Sequence, residues 1–277
     1  RRLKMKKYKY LVTGHEGFIG SRLYSSLPNS KIGFDLKSGE DILDCLPSDI
    51  QVDTVFHLAA LPRVEYSVEN PSYTLKHNVL ATSVLLDWCR THGVKRFIFS
   101  SSAAAHGDGS GPNSPYGLHK LISEKECKLY SELYDLDTVC LRYFNVYSEN
   151  QPYGGPYSTV ISAWMEMLHQ DKPLPINGDG EQTRDYIHVD DIVSVNLFCE
   201  SYKERFNGET FEVGTGIETS IKEIKKIIST KGNIQWNSTP ARHGDIKFSV
   251  ANTEKLNRIG WSSSIDILSG LKKCFKL

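Results

Sequence analysis

The sequence predicts an α/β fold built on a mainly parallel sheet, and three observations carry that prediction. Short runs rich in β-branched and aromatic residues recur at 8–13, 31–34, 54–58, 96–100 and 138–143. Helical patterns at 17–26, 79–92 and 114–134 lie between them. A glycine-rich turn joins the first strand to the first helix. Strands separated by helices form βαβ units, whose sheet is parallel and covered on both faces.

The first strand runs into T-G-H-E-G-F-I-G, residues 13–20. Gly14, Gly17 and Gly20 permit a tight turn and close backbone approach to a pyrophosphate. The helix that follows offers free N–H groups and a partial positive charge at its start. Asp35 ends the second strand, 21 residues after Gly14. An acid at about that distance reads the ribose hydroxyls of the adenosine. It would repel a 2′-phosphate, so NAD is expected rather than NADP. The helix over 114–134 carries Tyr116 and Lys120 at i and i+4, one above the other on one face. A free tyrosine, with a pKa of about 10, is a poor base near neutrality. A neighbouring cation favours the phenolate, so this pair could move a proton on and off an alcohol or sugar hydroxyl.

From about Tyr147 the texture changes. Residues 148–158 form a loop dense in Pro, Gly and Tyr. A helix is expected over 159–170, followed by the Pro/Gly segment P-L-P-I-N-G-D-G. A helix over 190–200, a strand over 209–213 and an amphipathic helix over 220–229 come next. The lysines of I-K-E-I-K-K-I-I read as the solvated face of that last helix.

Composition narrows the function classes. The 277 residues include 33 Lys+Arg and 33 Asp+Glu, a net charge of zero. That argues against broad binding to nucleic acid or to an anionic membrane. No stretch approaches the ~18 apolar residues of a membrane span. The start is basic, but no apolar segment of the signal-peptide kind follows, so no secretory leader is expected. The six cysteines are scattered, without a C-x-x-C pair or a metal-like cluster, so no metal is expected. Buried free thiols point to a reducing, cytoplasmic compartment.

The motifs together resemble the extended short-chain dehydrogenase/reductase family, in its nucleotide-sugar epimerase/dehydratase branch, over nearly the whole chain. T-G-x-x-G-x-x-G is similar to that family's cofactor loop, and Asp41-Ile42 to its adenine-contacting pair. H-L-A-A (57–60) resembles the stretch at the end of the family's fourth strand, and Asn78 an Asn that supports the central helix and active site. F-S-S-S-A (99–103), Y-x-x-x-K (116–120) and R-Y-F-N-V-Y (142–147) resemble the catalytic and cofactor-facing segments. N-G-D-G-E-Q-T-R-D-Y-I-H-V-D-D (177–191) and R-H-G-D (242–245) resemble segments that hold the substrate diphosphate and ribose.

The resemblance implies a Rossmann-type, doubly wound sheet with a smaller, discontinuous substrate-binding domain. Residues 5–150 plus 183–214 would bind NAD, and 151–182 plus 215–277 the sugar nucleotide. It implies Ser102, Tyr116 and Lys120 as catalytic residues. It places cofactor contacts at Gly14, Gly17, Phe18, Ile19, Gly20, Asp35, Asp41, Ile42, Leu58, Ala59, Ala60, Asn78, Ser100, Tyr116, Lys120 and Tyr143. Substrate contacts are implied at Ser102, Asn145, Asn177, Arg184, Arg242, Asp245 and Ser249. Arginine suits a diphosphate because its planar fork pairs bidentately with phosphate oxygens. His188, Asp190 and Asp191 look like metal ligands, but the resemblance makes them structural. It also implies a homodimer packed through the helices at 79–92 and 114–134.

The implied reaction is reversible oxidation at C4 of a nucleotide-linked, UDP-type hexose through a 4-keto sugar. Tyr116 serves as base, Lys120 lowers its pKa and binds ribose, and Ser102 bonds the oxygen where charge develops. Dehydratases and decarboxylases of the family carry an acid directly after the catalytic Ser/Thr. Here that position is Ala103, which favours 4-epimerisation. A dehydratase, a decarboxylase or a one-way 4-ketoreductase of the same family, and a non-catalytic NAD-binding protein, are the alternatives. Ser249, where strict glucose/galactose epimerases commonly carry Tyr, leaves room for an acetamido group or another bulky substituent. Three departures stand out, one being His106 in place of a Tyr common in the family before Gly107. The link from Ser102 to Tyr116, A-A-A-H-G-D-G-S-G-P-N-S-P, is shorter than the family's, and a bare turn without the usual lid is expected. Ser148-Glu149-Asn150 replaces a frequent G-P-R.

Overall fold

The computed structural model describes residues 5–151, 159–241 and 247–277. The chain begins β1 (Lys6–Thr13), α1 (Phe18–Ser26), β2 (Lys31–Phe34), β3 (Ile50–His57), α2 (Val64–Glu69) and α3 (Pro71–Leu75). A π-helical turn, Lys76–Leu80, leads into α4 (Ala81–Thr91). Then come β4 (Arg96–Ser102), α5 (Pro115–Leu133), β5 (Asp137–Tyr143), β6 (Asn145–Tyr147) and α6 (Val160–His169). β7 (Leu174–Asn177), β8 (Thr183–Arg184), β9 (Tyr186–His188), α7 (Val189–Ser201), β10 (Glu209–Val213) and β11 (Thr219–Ser220) follow. The chain closes with α8 (Ile221–Ile228), β12 (Trp236–Thr239), α9 (Glu254–Arg258) and α10 (Ile267–Phe275).

Two compact units result: Arg1–Arg142 with Val193–Phe211, and Tyr143–Ile192 with Glu212–Leu277. The main sheet has six strands in the order β10-β5-β4-β3-β1-β2. β1 pairs in parallel with both β2 and β3, and β3 with β4. The chain thus leaves β1 in opposite directions, and such a reversal is where open α/β sheets bind ligands. Register brings the strand ends level: Thr13 lies opposite both Phe34 and His57, and His57 opposite Phe99. Leu11, Val55, Phe97 and Cys140 from the strands pack with Leu85, Leu86 and Cys127 from the helices in one buried core. In the second unit Tyr147, Ile161, Trp164, Leu174, Ile224 and Leu271 form a separate core.

The expected strands and long helices are present, with shifted ends. The strand expected at 54–58 starts at Ile50, and the helix expected at 79–92 is longer. α3, the π turn and α4 form a continuous helical run whose bulge falls at Asn78. The Asn78 carbonyl accepts from the hydroxyls of Thr82 (2.8 Å) and Ser123 (3.2 Å), which reach it from α4 and α5. Single-turn π-bulges are frequent at functional sites.

Candidate active site

The candidate residues of the first unit sit just beyond the level strand ends. At the end of β1, Gly14 has φ +73°, and a Cβ there would lie 2.6 Å from the amide nitrogen of Ala59. The loop and the H-L-A-A segment therefore pack backbone to backbone, and Gly14 is the residue that allows it. α1 opens at Gly17 with no side-chain capping bond and no acid in its first turn, leaving its N-terminus suited to an anion. Beyond β2, Asp35 is buried, with one carboxylate oxygen accepting from Glu16 N (2.9 Å) and the other from Lys37 N (3.0 Å). Asp41 holds its own turn through Leu43 N (3.0 Å), and Ile42 joins the core. A glycine cradle that a Cβ would fill, an uncapped helix start and a fixed buried carboxylate together fit a dinucleotide.

A buried bridge runs under this cradle. The Thr13 hydroxyl lies 2.7 Å from His57 Nδ1, and His57 Nε2 lies 2.9 Å from the Thr82 hydroxyl. Thr82 donates its proton to the Asn78 carbonyl, so it accepts from His57 Nε2–H, and Nδ1 accepts from Thr13. The ring is therefore neutral, and burial, then the charge of Lys120, pushes its pKa down to about 3. The Asn78 side chain clamps the Leu61 backbone from both sides, accepting from its N–H (2.7 Å) and donating to its C=O (3.0 Å). That clamp fixes the course of Leu58, Ala59 and Ala60.

The three serines at the end of β4 have separate tasks. The Ser100 carbonyl accepts from Lys120 Nζ at 2.7 Å. Ser101 Oγ donates to Glu124 Oε1 at 2.5 Å. Ser102 turns the chain into a 3-10 turn, Ala103–Ala105, its Oγ accepting from Ala104 N at 3.2 Å. Residues 103–115 are short, with a bridge from Gly107 to Gly111, and they return at once to α5. Ser114 caps α5 by accepting from Gly117 N, and Pro115 occupies its first turn. A Cβ on Gly117 would lie 2.3 Å from the Ala104 carbonyl oxygen, so this glycine lets helix and turn touch. Tyr116 N donates to Ser67 Oγ of α2 at 3.0 Å.

Tyr116, Lys120 and Glu124 follow at intervals of four along the inner face of α5. The Lys120 ammonium is 4 % exposed, 6.0 Å from the centre of the Tyr116 ring and 4.7 Å from that of Phe99. Burial brings its pKa down to about 8, and Glu124 opposes that fall. Arg142 holds Glu124 bidentately, Nε to Oε1 at 2.8 Å and a terminal nitrogen to Oε2 at 2.6 Å. The sequence reading missed Ser101, Glu124 and Arg142. The signal was present as a third residue at the same spacing as Tyr116 and Lys120.

In the second unit, Asn145, Arg184 and Ser249 gather around Asp185. Asn145 donates from N (3.0 Å) and Nδ2 (3.1 Å) to the Asp185 carbonyl, and Asp185 N donates to the Ser249 carbonyl (2.8 Å). The buried Asp185 carboxylate accepts from Thr215 N, Thr215 Oγ1, Gly216 N and Ala251 N at 2.7–3.2 Å. This carboxylate, also missed from sequence, organises the loops beside Arg184. Asn177 lies apart, at the end of β7, accepting from Thr239 Oγ1 at 2.5 Å. Tyr143 is buried at the end of β5. Arg242 and Asp245 lie outside the described residues. His188 Nε2 is 3.1 Å from Glu149, and Asp191 accepts from Ser264 and Ile265. Among the described residues no helix is long and apolar enough to cross a membrane.

Comparison with known proteins decides the family. Residues 10–214 match the model of the NAD dependent epimerase/dehydratase family. The chain belongs to this family. A putative UDP-glucose 4-epimerase of Methanocaldococcus jannaschii is 32% identical, covering 95% of this chain and 96% of the relative. UDP-glucose 4-epimerase of Mycolicibacterium smegmatis is 31% identical, with 95% and 96% covered. Among solved structures, a UDP-N-acetylglucosamine 4-epimerase of Methanobrevibacter ruminantium in complex with UDP-N-acetylmuramic acid superposes with TM-score 0.85 at 30% identity, covering 98% of each chain. The Rossmann-type sheet is thus shared with these solved structures.

Proposed function

We propose that the protein is an NAD-dependent epimerase acting at C4 of a UDP-linked hexose, through a transient 4-keto sugar. The observation that carries the reading is the buried Lys120 ammonium beside Tyr116, with the Ser102 hydroxyl on the adjoining turn. Gly14, Gly17, Phe18, Ile19 and Gly20 hold the pyrophosphate of NAD, Asp35, Asp41 and Ile42 its adenosine, and Leu58–Ala60, Asn78, Ser100 and Tyr143 line its remaining length. When bound, NAD would supply the oxidising equivalent for C4 and recover it within the same turnover, with no net redox change. Tyr116 takes the proton from the 4-hydroxyl and later returns it, while the Lys120 charge favours its phenolate. Ser102 donates to the C4 oxygen. In the second unit Arg184, Arg242, Asn145 and Asn177 hold the diphosphate side and Asp245 the ribose, and Ser249 leaves room for an N-acetyl group. Ala103 places no acid beside Ser102, which supports epimerisation over elimination.

The protein acts in the reducing cytoplasm, in keeping with its free thiols, four of them buried. It is a homodimer through α4 and α5. Leu118, Leu129 and Leu133 are 47 %, 51 % and 65 % exposed, and with half-buried Ile122 they line one outer stripe of α5. Their spacing, 118-122-129-133, would let Leu118 meet Leu133 and Ile122 meet Leu129 of a second, antiparallel copy, as in an isologous contact.

The decisive experiment offers UDP-, GDP- and dTDP-sugars to the protein and reads products by NMR. A C4 epimer should form from a UDP-hexose without net consumption of NADH, and Tyr116→Phe should lose at least ~100-fold in turnover while retaining NAD. Stoichiometric NADH oxidation would identify a ketoreductase instead. Wild-type turnover by Tyr116→Phe would sink the assignment.

A further inference from the structure

We propose that Glu124 is a positioning residue for this reaction, its clamped carboxylate fixing the Lys120 ammonium beside Tyr116 and tying the Ser100–Ser102 segment to α5. The inference rests on Tyr116 and Lys120 being base and ammonium. It stands on a chain of contacts. Lys120 reaches the carbonyl of Ser100, the next residue's hydroxyl reaches Glu124, and Glu124 lies one turn beyond Lys120 on the same helix. The carboxylate is 4 % exposed and takes three hydrogen bonds, one from Ser101 and two from Arg142. The bidentate fork fixes its plane as well as its place. A carboxylate held this way cannot swing away, so its charge stays fixed one turn beyond Lys120 on the same helix.

Charge gives the arrangement its function. A buried ammonium loses its hydration and tends to shed its proton. The groups around Lys120 are Glu124, Cys127 and Tyr116 on α5, Cys140 and Arg142 on β5, the neutral His57 on β3, and the Ser100 carbonyl on β4. Of these, Glu124 carries the negative charge that keeps the ammonium protonated. With Glu124 neutral, Lys120 would face only the Arg142 cation. Its proton would then leave at lower pH, taking with it the field that favours the Tyr116 phenolate.

The test is Glu124→Gln in the full-length, NAD-loaded protein. Lysine 15Nζ NMR follows the protonation of Lys120, whose signal is identified by its loss in Lys120→Met. The Lys120 midpoint should fall by about one pH unit or more. The alkaline limb of the pH–rate profile should move down with it, and Glu124→Asp, which keeps the charge, should restore most of the shift. A merely structural role for Glu124 would lower stability and leave both midpoints in place, and that result overturns the inference. If Glu124→Gln does not fold, Arg142→Met removes the cation and leaves the Glu124 charge unpaired, so the Lys120 midpoint should rise, and an unmoved midpoint there overturns the inference equally. A midpoint that moves in a protein that turns over no nucleotide sugar overturns the assigned reaction and leaves the Glu124–Lys120 coupling standing.

Discussion

His57 shows how much a single residue can carry without touching a ligand. It is 1 % exposed, with one hydroxyl at each ring nitrogen, and it is neutral. An unfolded histidine takes a proton near its ordinary value of 6.5, whereas the folded one waits until about 3. Between those values the unfolded state binds the extra proton, so stability falls as pH drops through the window. The loss should reach roughly 3 kcal/mol between pH 6.5 and 4. Chemical denaturation of the wild type and of His57→Gln across that range checks it. The variant should start less stable and depend less on pH, and parallel curves would rule the bridge out as the acid-sensitive element. The sequence presented His57 within H-L-A-A but gave no sign of Thr13 and Thr82 as partners. They lie 44 and 25 residues away and meet it only through strand register and helix packing.

At the level of elements, α5 explains why the site was partly readable. Its inner stripe holds Tyr116, Lys120 and Glu124, its outer stripe Leu118, Leu129 and Leu133, and both repeat with the helical period. The helix was legible over 114–134, together with the Tyr116–Lys120 spacing. The preceding turn is held by something no periodicity encodes, the contact of Gly117 with the Ala104 carbonyl. Gly117→Ala should force helix and turn apart, destabilise the protein by about 1–3 kcal/mol, and lower turnover more than NAD retention. A thermal melt and the NAD content of the purified variant measure the two effects. If turnover survives at the wild-type level, Ser102 does not depend on that contact. The π turn at Asn78, the short α2 and α3, and the two-residue strands β8 and β11 were illegible for the same reason. They are set by partners distant in sequence, as the two hydroxyls on the Asn78 carbonyl illustrate.

At the scale of the whole molecule, the proposed dimer makes a separate prediction. Leu129→Glu/Leu133→Glu places like charges on the outer stripe of α5, and it should yield monomers by sedimentation velocity with little change in the monomer's fold by circular dichroism. An unchanged sedimentation coefficient would place the interface elsewhere. The fold class could be read early because strand and helix runs alternate through the first half of the chain. The return of a later segment was expected over 183–214 from the family resemblance rather than from that alternation, and Val193–Phe211 joins the first unit after a long excursion. That excursion also matters while the protein is being made. β5 ends at Tyr143, but β10, its neighbour in the sheet, begins only at Glu209. At about 5–20 residues per second, a ribosome needs roughly 3–13 s to supply the missing strand. Throughout that interval the nascent chain presents D-T-V-C-L-R-Y as a bare sheet edge, the kind of template on which unfinished chains stick to one another. The order of the strands thus sets a hazard during translation that the finished enzyme no longer shows.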